Sequence, residues 1–129
     1  MLHPIQSAAI DHLGRTLGDR TPLVMLNLLR FQPEGGRERY FGHYLPAFRA
    51  IAARHAFHDI APIWKGEVCT IFAGPAEETW DAVLLVRYPS LAAFRTIVDS
   101  EAYRSDAAPH REAALLDWRL VAQTAMDRS

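Results

Sequence analysis

One amide stands in the middle of an apolar run, Val24-Met25-Leu26-Asn27-Leu28-Leu29, that ends on Arg30-Phe31. An amide among such neighbours must find hydrogen-bond partners or destabilise the fold. Asn27 therefore either contacts a ligand in a pocket between sheet and helices or ties its strand to a helix backbone. Arg30 lies three residues further on, so a regular strand turns it to the opposite face, away from any pocket that Asn27 lines. A salt bridge to Asp81 is the expected use of that guanidinium. Arg87 ends a second apolar run and falls near Trp64, where it could hold a carboxylate bidentately or stack on the indole. Tyr40 and Tyr44 stand one helical turn apart, with rings in the core and hydroxyls able to reach a cavity. Neither suits a catalytic acid, because an unperturbed tyrosine titrates near roughly pH 10. The candidate ligand-binding set is Asn27, Tyr44, Trp64 and Arg87, and no catalytic residue is assigned.

Other polar groupings read as structure. His110-Arg111 has the types for a base and an anion clamp, but its place after Pro109 favours a solvated helix start. His55, His58 and Asp59 have loose metal-ligand spacing, yet they fall at a helix end without a third histidine in phase, and His43 is on another side. No metal is expected. Glycine-rich phosphate loops, Ser-His-Asp orderings and paired-carboxylate patterns are absent from the sequence, so no cofactor is expected either.

The whole chain has 129 residues, half of them hydrophobic, and a net charge of −1. That length suits one domain spanning residues 1–129. The charge balance gives no reason to expect nucleic acid or an anionic membrane surface as partner. Lys65 is the lone lysine among 14 basic residues, which reads as genome composition. Cys69 has no second thiol to pair with, so a reducing cytoplasm is the expected location. No basic flank precedes an apolar core at the N-terminus, so no signal peptide is expected. No apolar run approaches the ~20 residues of a membrane span.

The elements that must position these residues follow from periodicity. Ile5, Ala8, Ala9, His12, Leu13 and Leu17 recur at helical spacing, which predicts an N-terminal helix over 4–17. A strand over 23–31 follows. Phe41, Tyr44, Leu45, Phe48, Ile51, Ala52 and His55 form one stripe of a long helix over 37–57, which Pro46 kinks or splits. Strands are expected over 62–73, with Cys69 inside the first of them, and over 80–88. Ser90 is a candidate N-cap for a helix carrying Leu91, Phe94, Ile97 and Val98. A helical stretch with Tyr103 and a last strand over 116–123 complete the chain.

The order helix, then strand–helix–strand–strand–helix–strand, fits an α+β ferredoxin-like sandwich: a four-stranded antiparallel sheet with two helices on one face, its core over 23–123. The two central strands are then 23–31 and 80–88, and both are apolar on both sides. Strands of that kind must be covered on both sides. A second copy of the chain is the simplest cover for the open face, giving a homodimer. The N-terminal helix is the rival cover.

The series Asn27-Leu28-Leu29-Arg30-Phe31, Gly35-Gly36-Arg37-Glu38-Arg39-Tyr40, Tyr44, Trp80-Asp81, Val83 to Ser90, Phe94, Glu101-Ala102-Tyr103 and His110-Arg111 resembles the DUF1330 family of the dimeric α+β barrel superfamily. The resemblance covers residues 23–122 and leaves the N-terminal helix outside. It implies a ferredoxin-like subunit that pairs sheet to sheet, and it implies no particular reaction. The superfamily also contains small monooxygenases and haem-degrading enzymes, whose pattern asks for an asparagine, a tryptophan and a histidine. Asn27 and Trp80 match the first two positions. Residues 90–105 contain no histidine for the third.

Two readings of function follow. One is a small-molecule-binding protein or cofactor-light enzyme, with monooxygenase-like activity as its superfamily analogue. The other is a structural or interaction module whose apolar face is used up in dimerisation. Fold alone does not choose between them.

Overall fold

Alternate residues of the central strand are buried, and this decides which side chains can meet. The computed structural model describes residues 2–126. Helix α1 (Ser7–Leu17) precedes strand β1 (Leu23–Phe31). A continuous helical segment follows, made of α2 (Gly36–Arg39), a π-helical turn π1 (Tyr40–Tyr44) and α3 (Leu45–Arg54). Strands β2 (Ala61–Glu67) and β3 (Ala82–Tyr88) come next. Then come α4 (Leu91–Val98), a second π-helical turn π2 (Tyr103–Ala107), α5 (Ala108–Ala114) and strand β4 (Leu115–Gln123).

The sheet order is β2-β3-β1-β4, with every neighbouring pair antiparallel. That is the ferredoxin-like arrangement. Leu23, Met25, Asn27, Leu29 and Phe31 lie on the helix side, while Val24, Leu26, Leu28 and Arg30 alternate onto the open side. The register carries this division across the sheet. Leu84 and Leu120 flank Asn27 on the helix side, and Leu85 and Val121 flank Leu26 on the open side.

Several expectations shift. β2 stops at Glu67, and its hairpin with β3 closes on the Val68 N–H to Asp81 carbonyl bond at 2.9 Å. Residues 68–79 then leave the sheet, so Cys69 is exposed in a loop and not inside a strand. Ser90 does cap α4, its Oγ accepting from the Ala93 N–H at 3.1 Å. The N-terminal helix does not cover the open face. It packs with the other helices, held by an Asp11–Arg95 ion pair at 2.7 Å and by the Trp118 indole N–H donating to the His3 carbonyl at 2.8 Å.

The two crossovers meet closely at one point. The Gln32 N–H donates to the Ala114 carbonyl at 2.8 Å. A Cβ at Gly36 would lie 2.5 Å from that same oxygen, so the approach of α2 to α5 requires glycine there.

Candidate binding site

Two prolines shape the helix side of the sheet. Pro46 and Pro109 lack the N–H that would continue an α-helix, and their rings crowd the carbonyl four residues back. In each case the helix widens just before the proline. Leu45 N–H reaches back five residues to the Tyr40 carbonyl, and Ala108 N–H reaches back five to the Tyr103 carbonyl. Thus Pro46 neither breaks nor splits the long helix, as it absorbs the misfit in one π turn. Both π turns supply tyrosines to the same buried region. Tyr40 and Tyr44 come from π1 and Tyr103 from π2, and all three are buried.

Those tyrosines feed a polar chain through an aromatic wall. The Tyr44 and Tyr103 hydroxyls are 3.0 Å apart. Arg111 Nη1 donates to the Tyr103 hydroxyl at 2.5 Å. With one oxygen lone pair so occupied, Tyr103 can donate its own proton to Tyr44. The Tyr44 proton is then left for whatever lies beyond. Beyond it is a small cavity of about 50 Å³ that Tyr44 shares with Asn27, Phe48 and Tyr88. Burial pushes Tyr40, Tyr44 and Tyr88 upward from the usual tyrosine range, with the neighbouring hydroxyls adding to the effect. These groups therefore stay neutral phenols and not bases near pH 7, and of the three Tyr44 hydrogen-bonds through its hydroxyl.

Arg111 is the unexpected residue. It is only 7% exposed, not solvated at a helix start as the sequence suggested. Its guanidinium carbon lies 4.5 Å from the Trp118 ring centre and 5.8 Å from that of Tyr103. Stacking of this kind contributes on the order of 1–2 kcal/mol, well short of the cost of burying an unpaired charge. The nearest carboxylate oxygen, on the mostly exposed Glu112, is 3.9 Å from Nη2, beyond hydrogen-bond reach. Nε is buried without any partner. A neighbouring contact is the stack of His43 on His110, ring centres 5.4 Å apart, with His110 Nδ1 likewise buried and unpartnered.

Two larger cavities adjoin this region. One of about 530 Å³ has Arg111, Tyr103, Val98 and Ala108 on one wall and Leu2 to Ile5 on the other. The second, of about 310 Å³, lies under α1 against Met25, Phe94 and Trp118.

The four expected ligand residues do not come together. Asn27 and Tyr44 share the small cavity on the helix side. Trp64 pairs with Leu85, and Arg87 with Val24, which sets both on the open face, where Trp64 is 60% exposed. The parity of the strands thus divides the set in two. The expected Arg30–Asp81 salt bridge is also absent. The Asp81 carboxylate instead accepts from the Phe31 N–H at 2.8 Å, while Arg30 is exposed opposite Asp117 on β4. Asp117 is itself taken by Arg119 at 2.7 Å. Trp80 lines a separate cavity from Asn27 and bonds Glu78 through its indole N–H at 3.0 Å, so the partial haem pattern does not converge on one site. Among the described residues no three His, Cys, Asp or Glu side chains gather as metal ligands.

One signal in the sequence marks Arg111 as buried. Tyr103, Ala107, Arg111 and Ala114 recur at spacings of four, four and three, which is a buried helical stripe with an arginine in it.

No protein-family model matches the chain, and no curated protein matches it. Among solved structures it is similar to a protein of unknown function from Rhodopseudomonas palustris, at 27% identity over 96% of each chain, with a TM-score of 0.79. The methylated form of that protein gives 28% identity over 97% of this chain and 95% of the other, with a TM-score of 0.78. A Bacteroides fragilis protein of unknown function, described as dimeric and ferredoxin-like, is 13% identical over 81% of this chain and 97% of its own, with a TM-score of 0.47. Among the described residues no helix is long and apolar enough to cross a membrane.

Proposed function

We propose that this chain is a cytoplasmic small-molecule-binding protein of the DUF1330 type, with its site between the helices and the sheet. The observation that carries the reading is the Arg111–Tyr103–Tyr44 chain, a short line of polar groups inside an apolar and aromatic wall and beside a cavity of about 530 Å³. Ligand pockets are built in this way, from apolar walls with a few convergent polar groups and volumes of roughly 300–1,000 Å³. Asn27 and Tyr44 form the inner end of the site. Their cavity of about 50 Å³ holds little more than a water molecule, so the body of a ligand belongs at the Arg111 end. The test is a thermal-shift screen of the purified chain against a metabolite-sized library, repeated on Tyr103→Phe. Saturable stabilisation that weakens in the variant supports the reading. A chain that no compound stabilises refutes it.

A second reading concerns the open face and runs alongside the first. Val24, Leu26, Leu28, Val83, Leu85, Val121 and Trp64 form an apolar strip that α1 leaves uncovered. We infer that a second copy of this chain covers it. Four strands of this length present a face of on the order of 500 Å² in outline, so two copies face to face bury about 1,000 Å² in total, which meets the lower bound of a biological interface. Trp64 and Arg87 then belong to the subunit interface and not to the pocket.

A further inference from the structure

We propose that Arg111 is an anion subsite and that the ligand is a monocarboxylate with an apolar or aromatic body. This rests on the pocket reading above and names the chemistry of its occupant. The guanidinium is already used on one side, where Nη1 donates to Tyr103. Its other edge is unspent. Nε is buried without a partner, and Nη2 makes no hydrogen bond, its nearest carboxylate oxygen being Glu112 Oε1 at 3.9 Å. A carboxylate oxygen can reach Nη2, and Nε, sealed from solvent beside it, completes the fork once the walls shift to admit the second oxygen. The planar group is held by its stack on Trp118 and its bond to the Tyr103 hydroxyl, so its orientation is set before a ligand arrives.

The charge count selects a single negative charge. The titratable and charged groups on this cavity are His3, Tyr103, Arg104, Arg111 and Glu112. Of the permanent charges, two arginines stand against one carboxylate, which leaves one positive charge to neutralise. A phosphate dianion would exceed it and would carry its surplus charge into an apolar site. The remaining walls, Leu2, Ile5, Val98 and Ala108, offer no hydrogen-bonding side chains, so the rest of the ligand is apolar. Glu112 is mostly exposed, and its carboxylate repels a bound anion without competing well for the fork.

The experiment is a calorimetric titration with two matched series, straight-chain and phenyl-terminated carboxylates and their neutral alcohols, for example 4-phenylbutyrate against 4-phenylbutanol. The acids should bind at least tenfold more tightly than the alcohols. Arg111→Met should erase that difference, and Arg111→Lys should recover part of it. Glu112→Gln, a change at an exposed side chain, should tighten the acids several-fold and leave the alcohols unchanged. Equal binding of acids and alcohols would overturn the anion subsite and leave the pocket standing. So would acid binding that is indifferent to Arg111→Met and Glu112→Gln. Failure of both series to bind would overturn the pocket and the subsite together.

Discussion

The Asn27 amide nitrogen donates to the Leu84 carbonyl across the central strand pair at 3.2 Å, with a longer contact to the Met25 carbonyl at 3.4 Å. The side chain thus ties strand to strand and does not reach a helix backbone. No described donor reaches its Oδ1, and the residue borders the small cavity shared with Tyr44.

Asn27→Leu tests which half of the amide matters. The leucine is close in volume and suits the apolar surroundings, while one carbonyl loses a donor. The two effects oppose each other, so stability should change by no more than about 1 kcal/mol. Asn27 borders only the small inner cavity, so affinity for a ligand at the Arg111 end should change little. Denaturant melts of both proteins separate the outcomes without a known ligand. A stability loss well above that limit would assign Asn27 to the scaffold and remove it from the site.

Arg111→Met is expected to fold and to melt at the same temperature as the parent or higher. The methionine fills similar space, and the substitution removes a buried charge that has no hydrogen-bonded acid. Replacing buried ionic groups by hydrophobes is often neutral or stabilising by about 1–4 kcal/mol. A drop of more than about 2 kcal/mol would mean that the contacts to Tyr103 and Trp118 outweigh the desolvation of the charge, and that Arg111 serves the fold.

The buried tyrosines predict a steep alkaline limit. Tyr40, Tyr44 and Tyr88 are held above the unfolded tyrosine value by burial first and by neighbouring hydroxyls second. A raised folded pKa means that the folded chain keeps its protons longer. Its stability contribution is therefore complete below the unfolded value of roughly 10 and is lost as pH rises past it. Each such tyrosine contributes a slope of about 1.4 kcal/mol per pH unit, or about 4 for the three. Denaturant melts over the alkaline range should show this fall, and Tyr88→Phe should remove about a third of it. Phenolate absorbance of these three tyrosines should appear together with unfolding. Their titration in the folded chain, before any loss of structure, would contradict the prediction.

The strands and their two-sided character could be read from residues alone, because period-two burial is a local pattern. β1 was expected over 23–31 and is found at Leu23–Phe31. The site was harder to read, because its members come from different crossovers. Asn27 and Tyr44 border one cavity, the first from a strand and the second from a helix stripe. Arg87 and Trp64 were placed with them on chemical type, although strand parity turns them to the open face. Arg111 has the type for an anion clamp, but Pro109 beside it reads as a boundary and so favours a solvated helix start. In fact the π turn before Pro109 lets the helix run on and carries Arg111 inward. Nothing local in the sequence marks a helix that widens to pass a proline. Likewise the Arg30–Asp81 pair failed on a detail of side-chain direction, since the register does bring the two strand ends together and Asp81 turns to a backbone donor.

The open face yields the last prediction. Leu26 and Leu28 lie midway along the central strand, on the side that neither the crossovers nor α1 covers. A monomer would leave this strip in water, whereas a two-fold pair of sheets would remove it from water and leave the exposed Arg30 and Arg87 toward the rim. Light scattering at micromolar concentration should therefore give twice the chain mass. Leu26→Glu should reduce it to the single mass, since two like charges would meet near the two-fold axis and desolvated carboxylates without partners cost several kcal/mol each. The same variant should keep the carboxylate binding of the Arg111 pocket, because Leu26 is on the opposite side of the sheet from Tyr103 and Trp118. A parent protein that scatters as a monomer would overturn the dimer and leave the pocket untouched. A Leu26→Glu monomer that loses ligand binding would show instead that the two faces are coupled through β1.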